Sequence, residues 1–147
     1  MPKDFELIPH TADIKLRVYG ATHADLFKHA VVGMFQSIHP QAPTCHIKEG
    51  RLVCEQLPIS RELGVNSPDI NALLVDFLSY ALYLSDVHNE AYLDATIISI
   101  SDTFVKAILH GVAITGFSGV EIKAVTYHDL SIHNVNGEWQ TDIVFDI

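Results

Sequence analysis

The chain has 147 residues, of which 48% are hydrophobic, a length and composition typical of a single domain (1–147) around one core. Its 18 acidic and 9 basic side chains give a net charge of −9, which disfavours direct nucleic-acid binding and suits a basic protein partner or a metal cation. Cys45 and Cys54 form no Cys-x-x-Cys motif or disulfide framework, and Cys54 is expected to pack as a small apolar side chain. With no signal peptide and no apolar run near the length of a membrane span, we expect a cytoplasmic protein that makes no membrane contact.

The first part of the chain predicts two strands and a helix. Residues 5–8 alternate weakly, and the stretch from His10 to Gly20 contains a clear alternation of apolar and charged side chains after Asp13. That period of two is typical of a half-buried strand with Asp13 at its start. Thr22 is a good N-cap, and apolar residues at helical spacing then predict a helix over residues 22–38.

The middle of the chain contains the second predicted helix. Residues 47–57 suggest strand material interrupted at Glu49-Gly50-Arg51, and the polar residues 60–68 are interpreted as a loop. Ser67 as N-cap and Pro68 at the first helical position predict a helix that continues to about Asp86. It is the most apolar predicted element, so we expect it at the centre of the core.

The last third predicts strands. Residues 95–100 and 104–109 flank a turn at Ser101-Asp102-Thr103, and residues 120–127 are rich in β-forming types. Residues 130–135 and 138–145 flank Asn136-Gly137, the best short hairpin signal in the chain. Two helices among antiparallel strands predict an α+β fold, a mostly antiparallel sheet with two helices packed on one face.

The strongest candidates for a functional site are side chains that could bind a metal through oxygen atoms, because the other common motifs are absent. The nine histidines form no compact zinc-like cluster, and neither a nucleophile elbow nor a phosphate-binding loop is present. Asp13, Asp146 and the α-carboxylate of the following Ile147 could meet only if their strands are neighbours. Such a cluster would require a hard cation, Ca²⁺ or Mg²⁺, whereas the alternative is ordinary solvated acids at strand ends.

Three further side chains are kept as candidates that face a partner or a nucleotide. His10 and His128 lie in the two most distinctive polar stretches. Lys123 lies in a predicted strand whose alternation would put it on one face with Val125 and Tyr127. It is either a solvated surface lysine or an ammonium group beside Asp13 and Asp146 that offsets carboxylate repulsion.

Four segments, in order, resemble the archease family. They are His10-Thr11-Ala12-Asp13-Ile14 followed by Gly20, the helix with Leu73-Leu74-Val75-Asp76-Phe77-Leu78 and Leu82-Tyr83-Leu84, the run Ile122-Lys123-Ala124-Val125-Thr126-Tyr127-His128, and the end Val144-Phe145-Asp146-Ile147. The resemblance extends over residues 5–147. The third and fourth segments are its specific parts.

The resemblance implies an archease-like fold and a cytosolic accessory protein without enzymatic turnover of its own. Archeases assist the GTP-dependent RNA ligase of tRNA splicing and RNA repair, which joins 2′,3′-cyclic-phosphate or 3′-phosphate ends to 5′-hydroxyl ends. They promote guanylylation of the ligase and its multiple turnover. The family's divalent metal, usually Ca²⁺ with Mg²⁺ or Mn²⁺ as alternatives, would be held here by Asp13, Asp146 and Ile147, and the family's motif lysine corresponds to Lys123.

The sequence departs from the family pattern at two places, and two other functions are alternatives to this interpretation. Ser79-Tyr80 stand where the family commonly has an acidic pair, and residues 59–68 look longer than a minimal archease needs. A divalent-metal-dependent hydrolase built on Asp13 and Asp146 is one alternative, although no general base is evident nearby. A chaperone-like modulator of an RNA methyltransferase is the other.

Overall fold

The computed structural model describes residues 3–8 and 13–147, and it is an α+β fold, as predicted. Two helices, α1 (His23–Ser37) and α2 (Ile70–His88), combine with short and long strands that pair antiparallel throughout the described residues. The strands are β1 (Phe5–Ile8), β2 (Ile14–Gly20), β3 (Pro40–Gln41), β4 (Cys45–Lys48), β5 (Arg51–Cys54), β6 (Ile59–Asn66), β7 (Glu90–Ile100), β8 (Phe104–Ala113), β9 (Gly116–Phe117), β10 (Ala124–Val125), β11 (His133–Val135) and β12 (Glu138–Asp146).

Two sheets and the two helices enclose the core. The larger sheet has the order β1-β2-β12-β10, with β11 also paired to β12, and the second sheet has the order β6-β8-β7. The pairs β3–β9 and β4–β5 each form a separate two-stranded sheet. Buried side chains from β2, β12, β7, β8, α1 and α2 form one continuous hydrophobic cluster. The strand that Asp13 precedes therefore lies inside the larger sheet.

Helix α1 forms where the sequence predicts it. The hydroxyl of Thr22 accepts a hydrogen bond from the Asp25 backbone N–H at 3.1 Å, which caps the first turn. Gly20 ends β2 so close to the backbone of Leu26 that a Cβ atom would collide with it. The glycine therefore allows the turn from the strand directly into the helix.

Helix α2 begins two residues later than predicted. Its N-cap is Asp69 instead of Ser67, because the Asp69 carboxylate accepts the Ala72 N–H at 2.8 Å while Ser67 donates to Asp76. The helix has seven buried side chains, which confirms its place in the core: Leu73, Leu74, Val75, Phe77, Leu78, Ala81 and Ser85. By length and composition alone α2 could cross a membrane, a property the sequence analysis did not expect, but core helices pass the same test.

Residues 60–66 belong to β6, so the prediction of a loop over residues 60–68 was wrong. β6 pairs with β8 from Ile59↔Gly111 to Asn66↔Phe104. Leu63 is buried, whereas Ser60, Glu62 and Gly64 are exposed. The polar residues form the solvent face of an edge strand, and a polar solvent face resembles a loop in the sequence.

The C-terminal third is partly as predicted. The hairpin across Asn136-Gly137 is confirmed, and both turn residues have the positive φ that a two-residue hairpin turn needs, 52° and 86°. The turn at 101–103 between β7 and β8 is also confirmed. In contrast, residues 120–127 contain only the short β10, and residues 130–135 only β11.

The two cysteines form a disulfide bond, which contradicts the sequence prediction for them. β4 and β5 pair across a turn at Glu49 and Gly50, where both residues have positive φ, and this register puts Cys45 opposite Cys54. Their Cα atoms are 4.4 Å apart, within the range that a disulfide bridges. Cys54 is therefore a half-buried bridging residue and not a free apolar side chain.

Candidate functional site

The strand that Asp13 precedes and the last strand are neighbours in the larger sheet. β2 and β12 pair from Gly20↔Trp139 to Ile14↔Phe145. Continued by one residue, this register puts Asp13 opposite Asp146, the last residue of β12. Residues directly opposite on antiparallel strands share a face of the sheet. The two strands are therefore neighbours, as a site shared by these two acids requires.

The chemistry of the donors suits a hard cation. Asp13 is half-buried, Asp146 is exposed and Ile147 is half-buried, so this end of the sheet contains both carboxylate and main-chain oxygens. Within residues 3–8 and 13–147, no group of three or more His, Cys, Asp or Glu side chains could hold a metal. A cation bound by Asp13 and Asp146 would thus need main-chain oxygens or water as further ligands.

Lys123 approaches this end of the sheet through its backbone. Its N–H donates to the carbonyl oxygen of Asp146 at 2.7 Å, and the next residue, Ala124, is the register partner of Asp146. The side chain is exposed and lines a groove against α2. The predicted common face with Val125 and Tyr127 is not seen, since Val125 is buried and Tyr127 is 59% exposed.

His128 lies in the loop after β10, and its Nε2 is 3.5 Å from a carboxylate oxygen of Asp129. That carboxylate also accepts a hydrogen bond from Lys15 Nζ at 3.3 Å. Lys15 is on the same strand face as Asp13, two residues further along. His128 is therefore connected through Asp129 to the strand of the candidate site, whereas His10 lies outside the described residues.

A charged network on this outer face of the sheet was not predicted from the sequence. Arg17 donates two hydrogen bonds to Asp142, at 2.8 and 3.2 Å, and Lys15 Nζ lies 3.7 Å from the same carboxylate. The Arg17 guanidinium holds the pKa of Asp142 below its usual value, although burial acts in the opposite direction. The same pair of hydrogen bonds raises the pKa of Arg17.

The signal for this network is present in the alternation of the two strands. Lys15 and Arg17 form the polar side of β2, and Gln140 and Asp142 form the polar side of β12. Only the pairing of β2 with β12 makes them neighbours. The network fixes the two strands whose ends carry Asp13 and Asp146, so it can orient the site without itself binding a ligand.

Comparison with known proteins gives one consistent result. The model of the Archease protein family (MTH1598/TM1083) matches residues 5–147. Protein archease of Methanosarcina acetivorans is 34% identical over 99% of this chain and 97% of its own length, and that of Pyrococcus furiosus is 30% identical over 99% of both.

Two solved structures share the fold. The solution structure of protein 1598 from Methanobacterium thermoautotrophicum has a TM-score of 0.70 at 24% identity, over 98% of this chain and 99% of the other. The crystal structure of an archease from Thermotoga maritima, described as a possible chaperone, has a TM-score of 0.62 at 20% identity, over 100% of this chain and 98% of the other. The chain belongs to the archease family.

Proposed function

We propose that this protein is a non-enzymatic accessory protein that activates the GTP-dependent RNA ligase of tRNA splicing and RNA repair in the cytoplasm. It binds the ligase, promotes guanylylation of the ligase and allows multiple turnover. A divalent metal, Ca²⁺ in the first instance, is held by Asp13, Asp146 and a main-chain oxygen of Ile147. The observation that supports this proposal is the register of β2 and β12, which ends at Ile14↔Phe145 and, continued by one residue, would put the two acids opposite each other.

The charge of the protein supports a protein partner. With a net charge of −9, the chain is attracted to a basic protein surface and repelled by an RNA backbone. A guanylylation site must bind the phosphates of GTP, so its surroundings are basic. An acidic accessory protein complements such surroundings, and this complementarity raises the association rate and favours the correct partner.

The residues of the candidate site have separate roles in this proposal. Asp13 and Asp146 supply carboxylate oxygens at the edge of the sheet, and a bound divalent cation supplies positive charge that offsets their repulsion. The Arg17–Asp142 and Lys15–Asp142 pairs hold the two strands in register, and the Lys15–Asp129 pair connects the loop after β10 to β2. Lys123 and His128 stand on the segments beside them and are available to contact the ligase or its nucleotide.

An assay with purified ligase, GTP and RNA ends tests the proposal. The protein should increase both the rate of ligase guanylylation and the number of ligation turnovers. Asp13→Asn and Asp146→Asn should remove most of this stimulation, because each loses one carboxylate ligand while nearly keeping the side chain's shape. Asp102→Asn is the matched control, since Asp102 is exposed in the β7–β8 turn of the other sheet.

Equal stimulation by the wild type and both site variants would contradict the metal-site part of the proposal. A wild type that leaves guanylylation and turnover unchanged would contradict the ligase function itself. Stimulation that requires Asp146 but proceeds in the presence of a chelator would assign the carboxylate to the partner contact and not to a metal.

The description of the Thermotoga maritima relative as a possible chaperone favours a second candidate, a chaperone-like modulator. Such a protein would keep a partner enzyme folded without changing its guanylylation chemistry. Protection of the heated ligase, or of an RNA methyltransferase, from aggregation would support this candidate. The Asp146→Asn variant should then protect as well as the wild type.

A further inference from the structure

A groove of about 760 Å³ lies between the second half of α2 and residues 117–125. Its apolar lining includes Ile38, Leu82, Phe117 and Ile122. Because the groove combines a hydrophobic lining with an open side, it has the character of a docking site for side chains of another molecule. We call it the α2 groove.

A row of exposed apolar side chains borders the α2 groove. Tyr80, Tyr83 and Val87 are 43%, 60% and 52% exposed, and their spacing puts them on one side of the helix. The rings of Tyr80 and Tyr83 contact each other at 6.0 Å between centroids, and Tyr83 also lines the groove. Exposed tyrosines clustered beside a pocket are typical of protein interfaces.

The charges at the α2 groove identify the kind of partner. Asp86 and Glu121 both line it and are exposed, and neither forms an ion pair with another residue of the described chain. The lining also contains one basic side chain, Lys123. Two acids at the rim of an apolar groove complement a segment that carries Arg or Lys between apolar side chains.

The groove is continuous with the candidate metal site. Lys123 and Ala124 line it, and these same residues bond to or pair with Asp146 in β12. A segment lying in the groove would therefore contact residues that adjoin Asp146. Docking there would position the partner relative to Asp146.

We propose that the α2 groove and its row of Tyr80, Tyr83 and Val87 dock a cationic, amphipathic segment of the partner protein. Apolar side chains of that segment fill the groove, and its Arg or Lys side chains pair with Asp86 and Glu121. That the partner is the RNA ligase rests on the proposed function. The recognition chemistry rests on the groove alone.

The first experiment uses a short synthetic peptide that alternates Leu with Arg, and the same peptide with Glu in place of Arg. In isotope-labelled wild-type protein, the Arg peptide should shift the backbone amide signals of residues 79–87 and 119–124, while the Glu peptide should not. The Asp86→Lys/Glu121→Lys variant should bind the Arg peptide at least about tenfold more weakly. Tyr80→Ser/Tyr83→Ser should weaken binding through the apolar contacts.

The matched control is Asp102→Lys/Glu55→Lys, which changes the net charge equally at exposed positions outside the groove. It should bind the Arg peptide nearly as well as the wild type. Equal losses in the groove and control variants would show that only net charge matters and would overturn the proposal. So would signal shifts confined to other parts of the chain.

A second experiment measures binding and stimulation of the ligase by the same variants. If the wild type and the groove variant stimulate equally, the docking proposal is wrong although the proposed function stands. If the wild type does not stimulate the ligase but binds the Arg peptide in the groove, the function is wrong and the docking chemistry stands. A concentration-dependent dimer that the tyrosine variant abolishes would assign the surface to a second copy and overturn the proposal.

Discussion

At the scale of single residues, the backbone and the side chain of Lys123 have different roles. Its N–H bonds to β12, whereas its exposed side chain points to the α2 groove. We therefore expect Lys123→Ala to change the free energy of unfolding by less than about 0.5 kcal/mol and to slow ligase guanylylation. Thermal unfolding and a guanylylation time course measure the two effects.

The control for Lys123→Ala is Lys48→Ala, an exposed lysine on the β4–β5 hairpin. It removes the same charge outside the α2 groove and should leave guanylylation unchanged. Normal stimulation by the Lys123→Ala protein would make Lys123 an ordinary surface residue. A large loss of stability would mean that its side chain holds the fold together.

Glu90 is a buried carboxylate with a complete set of partners. Arg61 donates to it at 2.9 and 2.8 Å, and the Tyr92 hydroxyl donates at 2.9 Å. The Arg61 hydrogen bonds hold the pKa of Glu90 below its usual 4.5, against the effect of burial. Because the unfolded state binds the proton more readily, this stabilisation is fully present above the usual pKa and is lost as the pH falls through the lowered pKa.

Glu90→Gln should therefore lower the free energy of unfolding by about 1–3 kcal/mol at neutral pH. The free energy of unfolding of this variant should also fall less steeply as the pH is lowered, since the titrating group is gone. Urea unfolding at several pH values from neutral to acidic measures both effects. Glu62→Gln is the control, because Glu62 is an exposed partner of Lys106 at 3.2 Å. This variant should keep both the stability of the wild type at neutral pH and its dependence on acid. A variant with the same acid dependence as the wild type would contradict this role of Glu90.

At the scale of elements, the β4–β5 hairpin is fastened at both ends. The disulfide joins Cys45 to Cys54, and the Gln36 side chain of α1 makes two hydrogen bonds to the backbone of Leu52, at 2.9 and 3.0 Å. Reduction should lower the free energy of unfolding by about 2–3 kcal/mol, because the bond closes a short loop in the unfolded chain. The hairpin should stay paired through its backbone and the Gln36 contacts.

Urea unfolding with and without a reductant measures this loss. The Cys45→Ser/Cys54→Ser variant should unfold like the reduced wild type and should not respond to reductant. Two titratable thiols in the native, unreduced protein would contradict the disulfide. A reduced protein as stable as the oxidised one would mean that the hairpin contributes little to the cooperative unit.

The elements that were predicted from the sequence are those whose signals are local. Thr22 and the helical spacing identify α1, and Asn136-Gly137 identifies the last hairpin, since caps and turns depend on a few adjacent residues. β6 was missed because its exposed face is polar. The disulfide was missed although Glu49-Gly50 is a turn signal, because only the register across that turn makes Cys45 and Cys54 partners.

The candidate site was likewise predicted only where its signals are local. Asp13 and Asp146 could be named from their positions at strand ends, but their proximity depends on which strands pair. The Lys15, Arg17, Asp129 and Asp142 network was missed because it joins residues more than a hundred positions apart. The α2 groove was missed because its two walls come from α2 and from a segment with little regular structure. Long-range pairing is set by the whole core and not by any local pattern.

At the scale of the whole molecule, the larger sheet joins the two ends of the chain. β2 follows the N-terminal strand, β12 is the last strand, and their register, continued by one residue, would put Asp13 opposite Asp146. A cation that binds both acids binds only the folded chain, because the unfolded chain holds them far apart. Calcium should therefore stabilise the fold by mass action, by about 2.7 kcal/mol at a hundredfold excess over the dissociation constant.

Thermal unfolding in a calcium titration tests this expectation. The melting temperature of the wild type should rise with calcium concentration and return to its starting value when a chelator is added. Asp146→Asn and Asp13→Asn should each lose most of the rise, whereas Asp102→Asn should keep it. An equal rise in all four proteins would place calcium binding elsewhere on the acidic surface. No rise with Ca²⁺, Mg²⁺ or Mn²⁺ would contradict a metal at this end of the sheet and would leave the paired carboxylates as contacts for the basic partner.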